Sequence, residues 1–227
     1  MSTQEQGPVP EAVERPHLAL RRAVVDVAVH LRRTGVLSHS GHANLSARVG
    51  PDTVALAAVS QIRDLMPEHL AVVRLDGTVA EGDLAEMNSG IVATHTAVYR
   101  ARPQVGAVVH THSPNLLAFA LAGRALPVRY EALFHLGQAE EVPVVPWAPG
   151  DPAGSVSTVI EVLKERPGTQ AVLLGNHGVL ALGRDAETAV SLLVVLEEAA
   201  QAELRAAMLG AASPFASYPG RRYGDRK

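Results

Sequence analysis

The chain contains no cysteine among its 227 residues. Disulfides, thiolate nucleophiles, iron–sulfur clusters and cysteine-ligated zinc are therefore excluded. Lysine occurs only as Lys164 and Lys227. Imine chemistry needs a lysine amine desolvated in a pocket. Lys164, in VLKERPG, reads as the solvated end of a helix, and Lys227 ends a polar tail, so a Schiff base has no good candidate. A basic stripe is missing too: 20 Lys and Arg stand against 23 Asp and Glu, for a net charge of −3. Neither nucleic acid nor an anionic membrane is the expected partner. No run approaches the roughly 18 apolar residues that span a bilayer. The opening MSTQEQGPVPEAVERP has no apolar signal core, and the expectation is a cytoplasmic protein.

What is present is a globular composition, 47% hydrophobic and 19% charged, long enough for one good-sized core or two small ones. Histidine occurs ten times and clusters. Any chemistry is expected to rest on histidine or on a histidine-held metal.

Residues 1–14 read as a loose arm, 15–210 as the folded domain and 211–227 as a turn-rich tail. Leu20, Val24, Val27 and Leu31 recur at helical spacing between Pro16 and Gly35. Strand-like segments follow at Asn44–Val49, Thr53–Ala58 and Leu70–Leu75, with Val79 on a return strand after the Asp76-Gly77 turn. A helix is predicted over Ile91–Arg102, a strand over Gln104–Thr111 and a helix over Pro114–Ala122. Val142–Pro146 and Gln170–Leu174 are apolar, with a helix between them near Ser155–Glu165. After the turn Gly175-Asn176-His177-Gly178 comes a strand at Val179–Leu182. Asp185 is suited to cap a helix from Ala186 to about Leu209, roughly 35 Å long. The alternation predicts an α/β fold with a mostly antiparallel or mixed sheet.

The sharpest local signal is VGAVVHTHSP. Side chains alternate faces along a strand, so His110 and His112 point the same way, about 6.5 to 7 Å apart. Two such imidazoles can reach one metal ion. A lone His-x-His is equally compatible with polar positions on a half-exposed strand. His177, between apolar runs and flanked by Gly175 and Gly178, is a candidate for the third ligand, although Asn-His-Gly is also a common hairpin turn. Three neutral imidazoles make a plausible open site for a divalent ion.

The segments GHANLSAR (Gly41–Arg48), YRARPQVGAVVHTHSP (Tyr99–Pro114) and GNHGVLALG (Gly175–Gly183) resemble the class II aldolase/adducin family in order and spacing, across about residues 18–209. The resemblance implies a three-layer α/β/α fold and a cyclic homotetramer with active sites between subunits. It implies a divalent ion on His110, His112 and His177, zinc foremost, with Fe(II) or manganese as alternatives. It points to Asn44 as a substrate contact and to Tyr130 as a proton donor acting across the subunit boundary.

Two departures stand out. Sugar-phosphate aldolases of the family carry Ser-Ser-Glu before the second main helix. Here MNSGIVATH places Ser89 and Gly90 at the serines and Ile91 at the glutamate. Isoleucine moves no proton, so Glu86 and Glu131 become substitute candidates. The Thr-Pro-Ser-Gly phosphate turn is replaced by LAAVSQ (Leu56–Gln61), with Ser60 as the only remnant, which predicts an unphosphorylated substrate. His39 and His42 are candidates to line the pocket beside Asn44, against a reading as exposed loop residues. His95 reads as a packed polar residue more readily than as a ligand. His135 could approach from the Tyr130 loop, and Arg129 could fork onto a substrate carboxylate or make a surface ion pair.

The leading expectation is a metal-dependent lyase that performs aldol, retro-aldol or decarboxylation chemistry on a small hydroxy- or keto-substrate. Its residues would be Tyr130 and Glu131 for catalysis, with Asn44, Ser89 and His42 for binding. A non-haem Fe(II) oxygenase on the same fold and a non-enzymatic adducin-like module are the alternatives.

Overall fold

The computed structural model describes residues 18–57, 62, 65–85, 88–148 and 151–210. Glu86, Ser60 and the arm and tail lie outside those residues. Helix α1 (Leu18–Arg33) leads into β1 (Ala43–Gly50), β2 (Thr53–Ala57), β3 (Ala71–Arg74) and β4 (Val79–Glu81). Helix α2 (Ser89–Ala101), β5 (Ala107–Thr111), α3 (Pro114–Leu121) and the short α4 (Glu131–His135) come next. Then follow β6 (Val144–Val145), α5 (Pro152–Glu165), β7 (Ala171–Leu174), β8 (Gly178–Gly183) and α6 (Ala186–Met208).

The eight strands form one sheet in the order β4-β3-β2-β1-β5-β8-β7-β6. Every neighbouring pair is antiparallel except β6 with β7. Alternation along the strands sends Leu45, Val109, Val179 and Ala181 to one face, in a cluster with Val24, Leu31, Leu116 and Leu193 of α1, α3 and α6. Val108, Leu180, Leu182 and Val172 go to the other, with Val98, Tyr99, Val159 and Leu163 of α2 and α5. Helices on both faces make the sheet the middle of three layers, the expected α/β/α architecture. Coverage on both sides is why β5, β7 and β8 read as nearly unbroken apolar runs.

Helix α1 buries Val24 and Leu31 as predicted, but Arg21 and Ala28 take the inner places expected for Leu20 and Val27. Arg21, Val24, Ala28 and Leu31 are buried, whereas Leu20 is 44% exposed. Arg21 fits inside because its guanidinium donates to Leu70 O at 3.0 Å and pairs with Glu81 at 2.6 Å. The predicted Asp185 cap is present, accepting from Thr188 N at 2.7 Å. Among the described residues no helix is long and apolar enough to cross a membrane.

Candidate metal centre

Strands β5 and β8 lie side by side with Thr111 opposite Val179. His110 is in β5, His112 is one residue beyond it, and His177 immediately precedes β8, so the antiparallel register gathers all three at one sheet end. Ring centroids are 5.0 Å apart for His110 and His112, 4.7 Å for His110 and His177, and 5.1 Å for His112 and His177. One ligand atom from each lies within 4.8 Å of the others. The group holds no carboxylate among the described residues.

Two backbone features permit this convergence. Asn176 adopts a left-handed φ of 59°, which turns the chain so that His177 N donates to Leu174 O at 2.9 Å. Gly178 admits the rings themselves. A Cβ there would run into Thr111 O and lie 2.9 Å from His112 Cδ2 and 3.2 Å from His110 Cε1.

The ring nitrogens show which way the imidazoles face. His110 Nδ1 lies 3.0 Å from Val179 O. A carbonyl oxygen only accepts, so Nδ1 carries the proton and Nε2 keeps its lone pair. His112 Nε2 and His177 Nδ1 are buried without any hydrogen-bond partner. Unpartnered buried nitrogens are costly, and a cation is the natural partner for a set of lone pairs. Burial, reinforced by the neighbouring imidazoles, pushes His110 well below the ordinary histidine value and His177 down to about 4; burial and then His42 lower His112. The three rings are therefore neutral near pH 7, the state that binds metal. By donor type and orientation they fit a divalent ion.

Around the triad, Asn44 pairs with His110 across β1 and β5. Asn44 is nearly buried, and its Oδ1 lies 2.6 Å from His95 Nε2. His95 Nδ1 in turn lies 2.7 Å from Ser46 Oγ. Tyr99 OH is 2.9 Å from Ser46 Oγ and donates to Ser46 O at 3.0 Å. Burial alone takes His95 down to about 3. Continuing the β1–β5 register brings His42 opposite His112, and their rings meet edge-on at 6.3 Å, with His42 exposed at the mouth.

Trp147 was not anticipated. Its indole stacks on His177 at 4.8 Å with the planes 30° apart. The parallel pairing of Val145 with Leu174 carries Trp147 and His177 off the same sheet end. The available signal was the chain's single tryptophan following a β-type apolar run.

Other expected residues lie elsewhere. Ser89 is exposed at the start of α2 and lines a surface cavity of about 410 Å³ with Asp76, Val79, Thr96 and Arg100. Tyr130 is 43% exposed, and Glu131 faces His135 at 3.7 Å. Among the described residues, no hydrogen bond or ring contact joins Ser89, Tyr130 or Glu131 to the triad. Arg129 is not free to grip a substrate carboxylate, because its Nε donates to Glu203 at 2.8 Å and its Nη2 pairs with the same carboxylate. Ile91 packs with Trp147, Leu84 and Ile160 against the apolar cluster under α2 and α5.

The profile described as Class II Aldolase and Adducin N-terminal domain matches residues 22–204. A 5-methylthioribulose-1-phosphate/5-deoxyribulose-1-phosphate aldolase from Rhodospirillum rubrum is 29% identical over 184 residues, covering 81% of this chain and 80% of that protein. The L-ribulose-5-phosphate 4-epimerase UlaF of Salmonella paratyphi C is 30% identical over 190 residues, covering 80% and 82%. Among solved structures, an L-fuculose 1-phosphate aldolase superposes with a TM-score of 0.74 at 20% identity, covering 85% of this chain and 88% of that one. The three-histidine centre thus sits on a fold shared with aldolases, and the chain belongs to the class II aldolase/adducin family.

Proposed function

We propose that the protein is a divalent-metal-dependent lyase that makes or breaks a carbon–carbon bond next to a carbonyl in a small, unphosphorylated hydroxy- or keto-acid. The observation that carries this reading is the convergence of three imidazoles, two of which bury a ring nitrogen without a hydrogen-bond partner. His110, His112 and His177 would hold the ion, which when bound polarises a carbonyl and stabilises the oxyanion that develops as the bond breaks. The residues supply the rest. In the retro-aldol direction a base takes the β-hydroxyl proton, the Cα–Cβ bond breaks to release an aldehyde, and its electron pair moves onto the carbonyl oxygen. Cα is then protonated. Decarboxylation differs in releasing carbon dioxide and needing no base for the first step.

Asn44 would bind a substrate oxygen, and Tyr130 and Glu131 would handle protons across a subunit boundary. Their exposure on one chain is compatible with that role. The same flank leaves Leu121, Leu204, Met208 and Leu209 exposed, which supports burial in a homotetramer. Ile91 at the aldolases' glutamate position and Leu56–Gln61 at their phosphate turn support a substrate without phosphate.

The test is to load metal-free protein with zinc, manganese or iron(II), following Trp147 emission and bound metal together. Loaded protein is then assayed with paired hydroxy- and keto-acids, with and without a phosphate. One equivalent per chain and turnover of the unphosphorylated member are expected. Absence of stoichiometric metal refutes the site, and preferred turnover of the phosphate ester refutes the substrate class. Iron with substrate-dependent oxygen uptake would establish the oxygenase instead.

A further inference from the structure

Helix α2 presents His95 and Tyr99 at four-residue spacing toward β1, where Asn44 and Ser46 share one face of the strand. The two sets interlock through bonds of 2.6 Å from His95 to Asn44 and 2.7 Å from His95 to Ser46, with Tyr99 closing on Ser46. His95 is 1% exposed and makes no other hydrogen bond among the described residues. It has no evident reason to be histidine unless both ring nitrogens are needed.

With the Asn44 amide oriented so that Oδ1 faces the ring, a direction follows. Asn44 offers Oδ1 to His95, and Oδ1 only accepts, so His95 Nε2 carries the proton. Nδ1 is then an acceptor and takes the Ser46 hydroxyl hydrogen, while the Tyr99 hydroxyl donates to Ser46 O. With Oδ1 engaged, the Asn44 Nδ2 group is left as a donor with no protein partner among the described residues. Asn44 stands opposite His110 in the β1–β5 ladder, at the edge of the metal centre.

We propose that His95 is a positioning residue that holds Asn44 with its Nδ2–H group turned into the centre, where it donates to the carbonyl or hydroxyl oxygen of a metal-chelating ligand. The proposal deepens the reading of the triad as a metal site and commits Asn44 to an oxygen acceptor rather than to a donor group. Ring burial keeps the imidazole neutral, so the arrangement does not depend on pH near neutrality.

Two measurements test it. Long-range proton–nitrogen NMR on histidine-labelled metal-free protein, with the His95 signal assigned by its loss in His95→Gln, reports the tautomer directly. A protonated Nε2 and bare Nδ1 are expected, and a protonated Nδ1 overturns the proposal whatever the metal does. The second measurement is the affinity of zinc-loaded protein for acetohydroxamate, a bidentate chelator with a carbonyl oxygen. His95→Phe removes the grip on Asn44 and should weaken binding about tenfold, the worth of one hydrogen bond. His95→Gln, whose amide still donates to Oδ1, should recover most of it, and zinc affinity should be unchanged in both. Equal losses in the two variants, or a loss that tracks zinc affinity, would mean a merely structural histidine. If the native protein takes up no zinc, the metal reading fails while the NMR result still decides the tautomer.

Discussion

Gly178→Ala isolates the close approach on which the triad depends. The added Cβ would meet Thr111 O, His112 Cδ2 at 2.9 Å and His110 Cε1 at 3.2 Å. The carbonyl belongs to the β5–β8 ladder and cannot retreat without breaking pairing, so the chain at position 178 must shift away from it, carrying His177 with it and crowding the other two rings. Overpacking of this kind costs about 1–3 kcal/mol. At about 2–4 °C per kcal/mol for a chain of this size, Tm should fall by about 2–12 °C. Displaced ligands should weaken metal binding by about 10–100-fold, the range seen when groups that orient ligands are lost. Gly175→Ala is the control, since its Cβ would approach Val145 O at 3.2 Å and touches none of the three rings. Zinc titration read by Trp147 emission, alongside thermal unfolding of the metal-free proteins, separates the two effects. If Gly178→Ala binds zinc like the native chain, or Gly175→Ala loses zinc equally, the packing argument is wrong.

His177→Ala should abolish stoichiometric metal while metal-free Tm changes little, because the ring is half-buried on a turn rather than in the core; equilibrium dialysis checks it. Trp147→Ala should weaken zinc binding more than Trp147→Phe, which keeps an aromatic face on His177; competition with a metal-sensitive dye measures both. Glu197 is buried and accepts from Asn115 N and Nδ2 at 2.8 Å and from Leu116 N at 2.9 Å. Glu197→Gln should therefore cost about 1–3 kcal/mol in urea unfolding, since a buried donor of the α3 N-terminus loses its acceptor. Acidification probes His95, whose value falls from 6.5 to about 3 on folding. The unfolded chain binds the extra proton, so stability is complete above pH 6.5 and is lost as pH falls toward 3. Its slope approaches about 1.4 kcal/mol per pH unit. Metal-free His95→Gln should show a slope smaller by that amount, and an unchanged slope would contradict burial of a neutral ring.

What the sequence disclosed follows from the range of the interactions. Strand period and glycine-flanked turns are local, so His110, His112 and His177 could be nominated together, and the structure gathers them. At the start of the α1 stripe Arg21 is buried in place of Leu20, because it is polar in sequence but acquires partners at Leu70 and Glu81, positions no local pattern connects to it. Trp147 reaches His177 through a parallel pairing of distant segments. Glu197 caps a helix begun 81 or 82 residues earlier. No periodicity carries such information.

The inner row of α2 joins the legible and illegible parts. Tyr99 and His95 reach Ser46 and Asn44, and the same row, continued one helical turn toward the helix start, arrives at Ile91. That direction runs along β1 toward His42, whose ring meets His112 at the mouth. Ile91 belongs to the same apolar cluster as Trp147. Along this row, hydrogen-bonded polar side chains thus give way to an apolar one toward the helix start. Chemistry at the centre would be governed by fixed donors and neutral imidazoles. An isoleucine at the position that the resemblance matches to the aldolases' glutamate would favour a substrate whose far end is apolar. Lengthening that end by methylenes in a substrate series should therefore improve KM until the isoleucine is covered, whereas a hydroxylated tail of equal length should not.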